Sequence, residues 1–194
     1  MHKAPVFAFS EAALFWATFV WAVLPETRLS GIVAGDPSDT QDAGTSRLIN
    51  IGLTVAGLLA FALSFLPWLV DPYPRIALYA GTGLLVAGRL LRRYCFRILG
   101  KYFTGAVTVS PDQPVIDNGP YRWIRHPGYT AAFLMVLGSG LALGNWLSLA
   151  TIFLISSYVY RRRVKAEEKA LLGIIGEPYR AYMARTKWFI PFIY

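Results

Sequence analysis

The chain has one cysteine, Cys95, and two histidines among 194 residues. A single thiol excludes an internal disulfide and any metal site built from cysteines, and with no histidine near it in sequence Cys95 reads as a small apolar residue rather than a nucleophile. Charge is also scarce. Asp, Glu, Lys and Arg make up 15% of the chain against ~25% in soluble domains, which argues against a soluble globular protein. No glycine-rich loop of the dinucleotide-binding kind follows a strand-like run, so a Rossmann nucleotide site is not expected. The excess of base over acid, a net charge of +8, is not laid out as a basic stripe with interleaved aromatics, and nucleic acid is not an expected partner.

Apolar residues fill the space, at 55% of the chain and a mean hydropathy of +0.44. The expected class is an all-α integral membrane protein, one domain over residues 1–194, with the lipid bilayer as its surroundings. Five spans are predicted, at about 4–24, 48–70, 75–96, 127–143 and 145–161. Pro25 is expected to end the first, and the rival reading of that run as a signal peptide lacks a small-residue cleavage site. The stretch Glu26–Ser46 reads as a loop, with nothing catalytic in it. In the second span Gly52, Ala56 and Ala60 share one face and would permit close helix contact. Asp71, Pro72 and Pro74 predict a tight return. From Pro127 to Tyr160 no residue is charged, and 34 residues at ~1.5 Å each are too long for one crossing of a ~30 Å core. Gly144 and Asn145 divide them into a helical hairpin.

Orientation follows from counting cations. With the N-terminus outside, 17 of the 19 Lys and Arg residues fall on the inner face, leaving Lys3 and Arg75 outside. The expected arrangement therefore puts residues 100–126 and 162–194 on the cytoplasmic side, the latter including an amphipathic segment that Gly176 ends before a short helix begins at Pro178.

One polar stretch interrupts this apolar plan. Gly119 to Tyr129 reads GPYRWIRHPGY and contributes Tyr121, Arg122, Arg125 and His126; the hairpin returns a second cluster, Arg163, Glu167 and Glu168, to the same side. Arg163 and Glu167 are four apart and share a helix face. Taken singly, these arginines are what membrane proteins place at inner helix ends, the glutamates could be helix ion pairs worth a few tenths of a kcal/mol, and His126 could cap the hairpin helix.

GPYRWIRHPGY, an Asn-Trp turn, R-x-x-x-EE, GEPYRAY and a closing Ile-Pro follow one another from Leu99 to Tyr194. In that order and spacing they resemble the isoprenylcysteine carboxyl methyltransferases and their relatives, the phospholipid N-methyltransferases. The resemblance implies a membrane enzyme using S-adenosylmethionine in a cytoplasmic pocket closed by the C-terminal segment. Residue by residue, Tyr121, His126, Pro127 and Tyr129 match the family's cofactor-binding stretch, Glu167 its cofactor-binding glutamate and Arg163 the arginine assigned to substrate. Gln113, Pro114, Val115 and Ile116 stand where the family usually has His-x-Leu-Val, and Thr108 where it has a glutamine. The donor's ammonium, carboxylate and sulfonium call for an acid, donors and aromatic faces, which Glu167, Arg125, His126 and either Tyr121 or Trp123 could provide with Glu168 beside them. The expected acceptor is a prenylated cysteine or similar lipidic carboxylate, oriented by Arg163. An amine acceptor would need a base, for which His126 or Glu168 are candidates. Phospholipid or small-molecule N- or S-methylation, a nicotinamide-dependent sterol-type reductase and a non-catalytic membrane component stand as alternatives. No metal is expected.

Overall fold

A computed structural model describes residues 4–32, 44–103, 109 and 113–189. Every regular element among them is helical. In order these are α1 (Pro5–Ala8), α2 (Ala12–Ile32), α3 (Thr45–Leu63), α4 (Pro74–Leu99), α5 (Pro127–Ala142), α6 (Trp146–Ile174) and α7 (Glu177–Arg185), with single 3₁₀ turns at Gly100–Tyr102 and Gly119–Arg122.

Small residues let the long helices approach closely. On α4, a methyl group added at Gly81 would lie 2.5 Å from the Gly138 carbonyl of α5, and one at Gly88 would lie 2.7 Å from the Ala131 carbonyl. Backbones this near gain dispersion contacts that a larger side chain would forfeit. The Gly52, Ala56 and Ala60 face of α3 packs inside the molecule against α6: Ala56 and Ala60 are buried, and a methyl at Gly52 would meet Val159 at 2.6 Å. Ser148 of α6 donates to the Ala60 carbonyl at 2.7 Å across the same contact.

The α5–α6 turn falls at Gly144–Asn145. Gly144 adopts φ 65°, and an added methyl there would collide with Pro5 of α1. Asn145 caps α6 by accepting from the Leu147 and Ser148 amides, and its own amide donates to the Trp68 carbonyl at 2.8 Å. The Asp71 amide donates to the Gly144 carbonyl and the Trp146 amide to the Leu69 carbonyl, so the α3–α4 and α5–α6 connections close one end of the bundle together.

Four helix boundaries differ from expectation. The first apolar run is split at Phe9–Glu11, where Phe9 turns extended and Trp16 donates to the Val6 carbonyl, folding α1 back on α2. Pro25 does not end that helix but lies inside α2; proline removes one intrahelical hydrogen bond, which a helix braced by neighbours tolerates. The run 48–70 stops being helical at Leu63, whose carbonyl Pro67 can neither bond nor clear, and Asn145 and Trp146 then take the carbonyls of Trp68 and Leu69. At the other end no separate amphipathic helix forms: α6 continues unbroken from the apolar arm to Ile174, and Gly176 at φ 69° ends the rod. Of all described helices, α3 alone is both long and apolar enough to cross a membrane, with shorter apolar stretches at Ala12–Glu26 and Pro127–Ala142.

Candidate active site

Because α2, α4 and α6 run toward one end and α3 and α5 start from it, the bundle gathers the ends of five helices around a single cavity. Its walls include Gln113, Val115, Ile116, Tyr121, Arg125, His126, Tyr129, Arg163 and Glu167. The two sequence clusters meet through Arg125 and His126, which both reach Glu168, whereas Arg122 stays outside and lies over the Trp123 ring. Tyr129 of α5 donates to Glu167 of α6 at 2.7 Å and accepts from Arg163 Nε at 2.9 Å, placing one hydroxyl between a carboxylate and a guanidinium. Arg163 Nη1 in turn donates to Thr45 Oγ1 at 2.8 Å and Ser46 Oγ at 3.1 Å, which ties α3 into the same chain.

His126 is the N-cap residue of α5, with Pro127 buried in the first turn, and its ring lies 3.2 Å from Glu168 and 3.9 Å from Glu167. Glu168 faces away from the cavity. Its carboxylate receives Arg125 Nε at 2.7 Å and Trp188 Nε1 at 3.1 Å, and so braces the wall from behind. Burial alone would raise the Glu168 carboxyl; the His126 ring and the Arg125 guanidinium outweigh it and hold the group below the usual carboxylate range.

The C-terminal segment forms a strap over this wall. Lys187 runs parallel to Ile124, the Arg125 and His126 amides donate to the Lys187 and Trp188 carbonyls, and Arg125 Nη1 also takes the Met183 and Thr186 carbonyls. Thr130 reaches the Phe189 carbonyl at 2.9 Å. Beneath the strap, Tyr179 and Tyr182 pack with Leu171 around Val115, and Tyr182 donates to the Tyr121 carbonyl at 2.7 Å. Burial pushes the hydroxyls of Tyr121, Tyr179 and Tyr182 up, so all three stay neutral.

Several lining residues were not expected. Glu26 belongs to α2, not to a loop, and lines the cavity while pairing with Arg89 at 3.0 Å and Arg92 at 2.7 Å. Ser46, Ile49 and Asn50 come from α3, Arg92 and Phe96 from α4, and Tyr179 and Tyr182 from α7. A signal did exist for the first group: Arg89 and Arg92 lie three apart inside a helix and so share a face, which in a buried helix demands a carboxylate opposite. The expectations for Thr108 and for residues 190–194 lie outside the described residues.

Comparison with known proteins places this geometry. A model of the isoprenylcysteine carboxyl methyltransferase family matches residues 81–173, which span α4, α5 and most of α6. Residues 81–173 carry the pattern of that family. Among its relatives, the protein-S-isoprenylcysteine O-methyltransferase of Schizosaccharomyces pombe is 29% identical over 113 residues, 57% of this chain and 48% of that one. The enzyme of the same name from Tribolium castaneum is 30% identical over 115 residues, 58% of this chain and 41% of that one. The chain thus spans about half the length of the curated relatives it matches. The solved structure of a eukaryotic intramembrane Ras methyltransferase, isoprenylcysteine carboxyl methyltransferase, aligns with a TM-score of 0.56 at 21% identity, covering 97% of this chain and 80% of that one. At that identity the likeness establishes the fold: the chain has the all-helical architecture of the intramembrane methyltransferases. The family match extends only to Gly173, yet Ile175 and the α7 residues Tyr179 and Tyr182 line the cavity beyond it.

Proposed function

We propose that this protein is a membrane methyltransferase that uses S-adenosylmethionine to esterify the carboxylate of a prenylated cysteine or a similar lipidic acceptor. The observation that carries the reading is the chain Thr45/Ser46–Arg163–Tyr129–Glu167 along one cavity wall, a cation and an anion locked to each other through a neutral hydroxyl. The donor set fits the cofactor. Glu167, with 29% of its side chain exposed toward the cavity, supplies an acid for the ammonium; Arg125 and His126 are donors for a carboxylate; Tyr121, Tyr179 and Tyr182 offer neutral aromatic faces to a cation and a purine. When bound, S-adenosylmethionine supplies a methyl group activated by a positively charged sulfur.

The protein's own work is then alignment. A carboxylate acceptor is ionised at neutral pH and needs no base, so no side chain of the site has to take a proton from it. Arg163, buried and fixed by three hydroxyls, orients the acceptor, and the strap keeps bulk water from the wall. In this reading α2 to α6 cross the bilayer with the site toward the cytoplasm, supported by 17 of 19 Lys and Arg residues on that side and by exposed Trp68, Tyr73 and Trp146 at the opposite end, where aromatic side chains favour a headgroup boundary.

The test is transfer of a labelled methyl group to N-acetyl-S-farnesylcysteine by the detergent-purified protein, with phosphatidylethanolamine as the rival acceptor. Label that base releases as methanol marks the expected ester. Label that resists base, or that appears only on the ethanolamine lipid, would move the activity to N-methylation.

A further inference from the structure

Beside the strap lies a second cavity, of about 400 Å³, lined by Asp117, Arg122, Trp123, Arg185 and Lys187, none of which lines the first. Three stretches of chain build it: the loop before α5, the last residue of α7 and the strap itself. Backbone bonds bring loop and strap together, because the Lys187 amide donates to the Trp123 carbonyl at 3.3 Å and the Arg125 amide to the Lys187 carbonyl at 2.7 Å. Arg185 pairs with Asp117 and lies 5.7 Å from the centre of the Tyr182 ring, whose hydroxyl holds the Tyr121 carbonyl. Arg122 lies 5.3 Å from the centre of the Trp123 ring. Neither the Arg122 guanidinium nor the Lys187 ammonium makes a hydrogen bond or ion pair among the described residues.

We propose that this second cavity binds the phosphate headgroup of an anionic phospholipid, and that the bound headgroup ties the strap to the loop that carries Tyr121. Such a site stands whether or not the first cavity holds a methyl donor. Charge gives the sign of the ligand. Three cations face one carboxylate, an excess of two positive charges, and the Arg185–Asp117 pair joins exposed side chains, where an ion pair is worth little and yields readily. A phosphate can then accept charge-assisted bonds from Arg122, Arg185 and Lys187. Position names the source of that phosphate. Trp123 is 49% exposed and stands four residues before α5 begins at Pro127, so an indole and its neighbouring cations share the level at which that helix starts. A half-exposed indole among Lys and Arg is what the headgroup layer of a bilayer favours, and basic pockets at that level take anionic headgroups. Free phosphate or an acidic peptide would leave the ring unused. Connectivity supplies the consequence: one headgroup bonded to loop, α7 and strap adds to the backbone bonds that hold the strap against Ile124.

Native mass spectrometry of the detergent-purified full chain, titrated with phosphatidylglycerol or phosphatidylcholine, tests the site without relying on turnover. The wild type should retain one phosphatidylglycerol about tenfold more tightly than phosphatidylcholine, and the double variant Arg122→Gln/Lys187→Gln should lose that preference. Arg162→Gln/Lys165→Gln removes the same charge from exposed positions on α6 and should keep the preference within about twofold of wild type. In lipid nanodiscs, exchanging phosphatidylcholine for phosphatidylglycerol should slow hydrogen exchange at the Arg125 and His126 amides, which bind the strap, about threefold in the wild type and not in Arg122→Gln/Lys187→Gln. Equal loss of preference in both double variants would reduce the effect to overall charge and overturn the proposal. So would unchanged exchange at the two amides, or displacement of the lipid by equimolar inorganic phosphate or hexaglutamate, which would give the cavity to a soluble anion.

Discussion

The two ends of the α5–α6 hairpin are held by opposite kinds of chemistry. At the turn, mostly neutral groups make the contacts: Asn145 spends its side chain on two amides and a carbonyl, the neighbouring loops exchange backbone hydrogen bonds, and the one buried carboxylate, Asp71, accepts from the Tyr73 amide rather than from a cation. At the open end, Arg125, His126, Arg163, Glu167 and Glu168 are buried or half-buried within one network. Buried charge is an expensive way to hold helices together, since ion pairs there recover little more than their desolvation cost. The turn closes without an ion pair among the described residues. In the proposed function the charges at the open end serve the cavity they surround, and changes at the two ends should separate binding from stability.

The largest separation is expected for Glu167→Ala. It should reduce S-adenosylhomocysteine affinity about 100-fold, the scale of a charge-assisted pair lost from a partly buried site, while the thermal midpoint moves by only a few degrees. Asn145→Ala should do the reverse. Loss of the α6 cap and an unpaired Trp68 carbonyl should cost about 2–3 kcal/mol in denaturant titration, with donor affinity per folded molecule unchanged. A smaller effect belongs to Tyr129→Phe, which removes the hydroxyl joining Arg163 to Glu167 but keeps the ring; kcat/KM should fall about tenfold, with intact folding by circular dichroism.

The smallest effect is a pH dependence confined to the open end. Glu168 has its pKa lowered in the folded state, so its contribution is complete above the ordinary value of 4.5 and is lost as pH falls through the lower folded value. Hydrogen exchange at the Arg125 and His126 amides, which bind the strap, should therefore accelerate below pH 4.5 more than at the Trp146 amide of the turn. Equal acceleration at both ends would show that Glu168 is not what holds the strap.

How much of this was legible in the sequence also differs between regions. The hairpin turn and the return of Arg163, Glu167 and Glu168 to the side of Arg125 and His126 follow from one uncharged run and the topology it forces; Tyr129 came only from the family resemblance, and Arg122, expected with them, lies over Trp123 instead. The role of Glu168 as a brace did not follow, because two adjacent glutamates point to different sides of a helix and only the strap decides which one faces the cavity. The wall made by Glu26, Ser46 and Arg92 was hidden for a different reason. Pro25 is a local stop signal that the packed bundle overrides, and with the helix ended there Glu26 reads as loop. By contrast the end of the third helix at Leu63 was announced by Pro67, four residues on, and tertiary hydrogen bonds from Asn145 and Trp146 then hold residues 68 and 69.

The central claim is that the open end of the bundle is a site for S-adenosylmethionine. Calorimetric titration of S-adenosylhomocysteine into the detergent-purified protein, with NADPH as control and Glu167→Ala beside wild type, tests it most directly. The account predicts saturable one-site binding of S-adenosylhomocysteine that Glu167→Ala weakens about 100-fold, and no binding of NADPH. Binding of NADPH alone, or S-adenosylhomocysteine affinity unchanged by the Glu167 substitution, would contradict it.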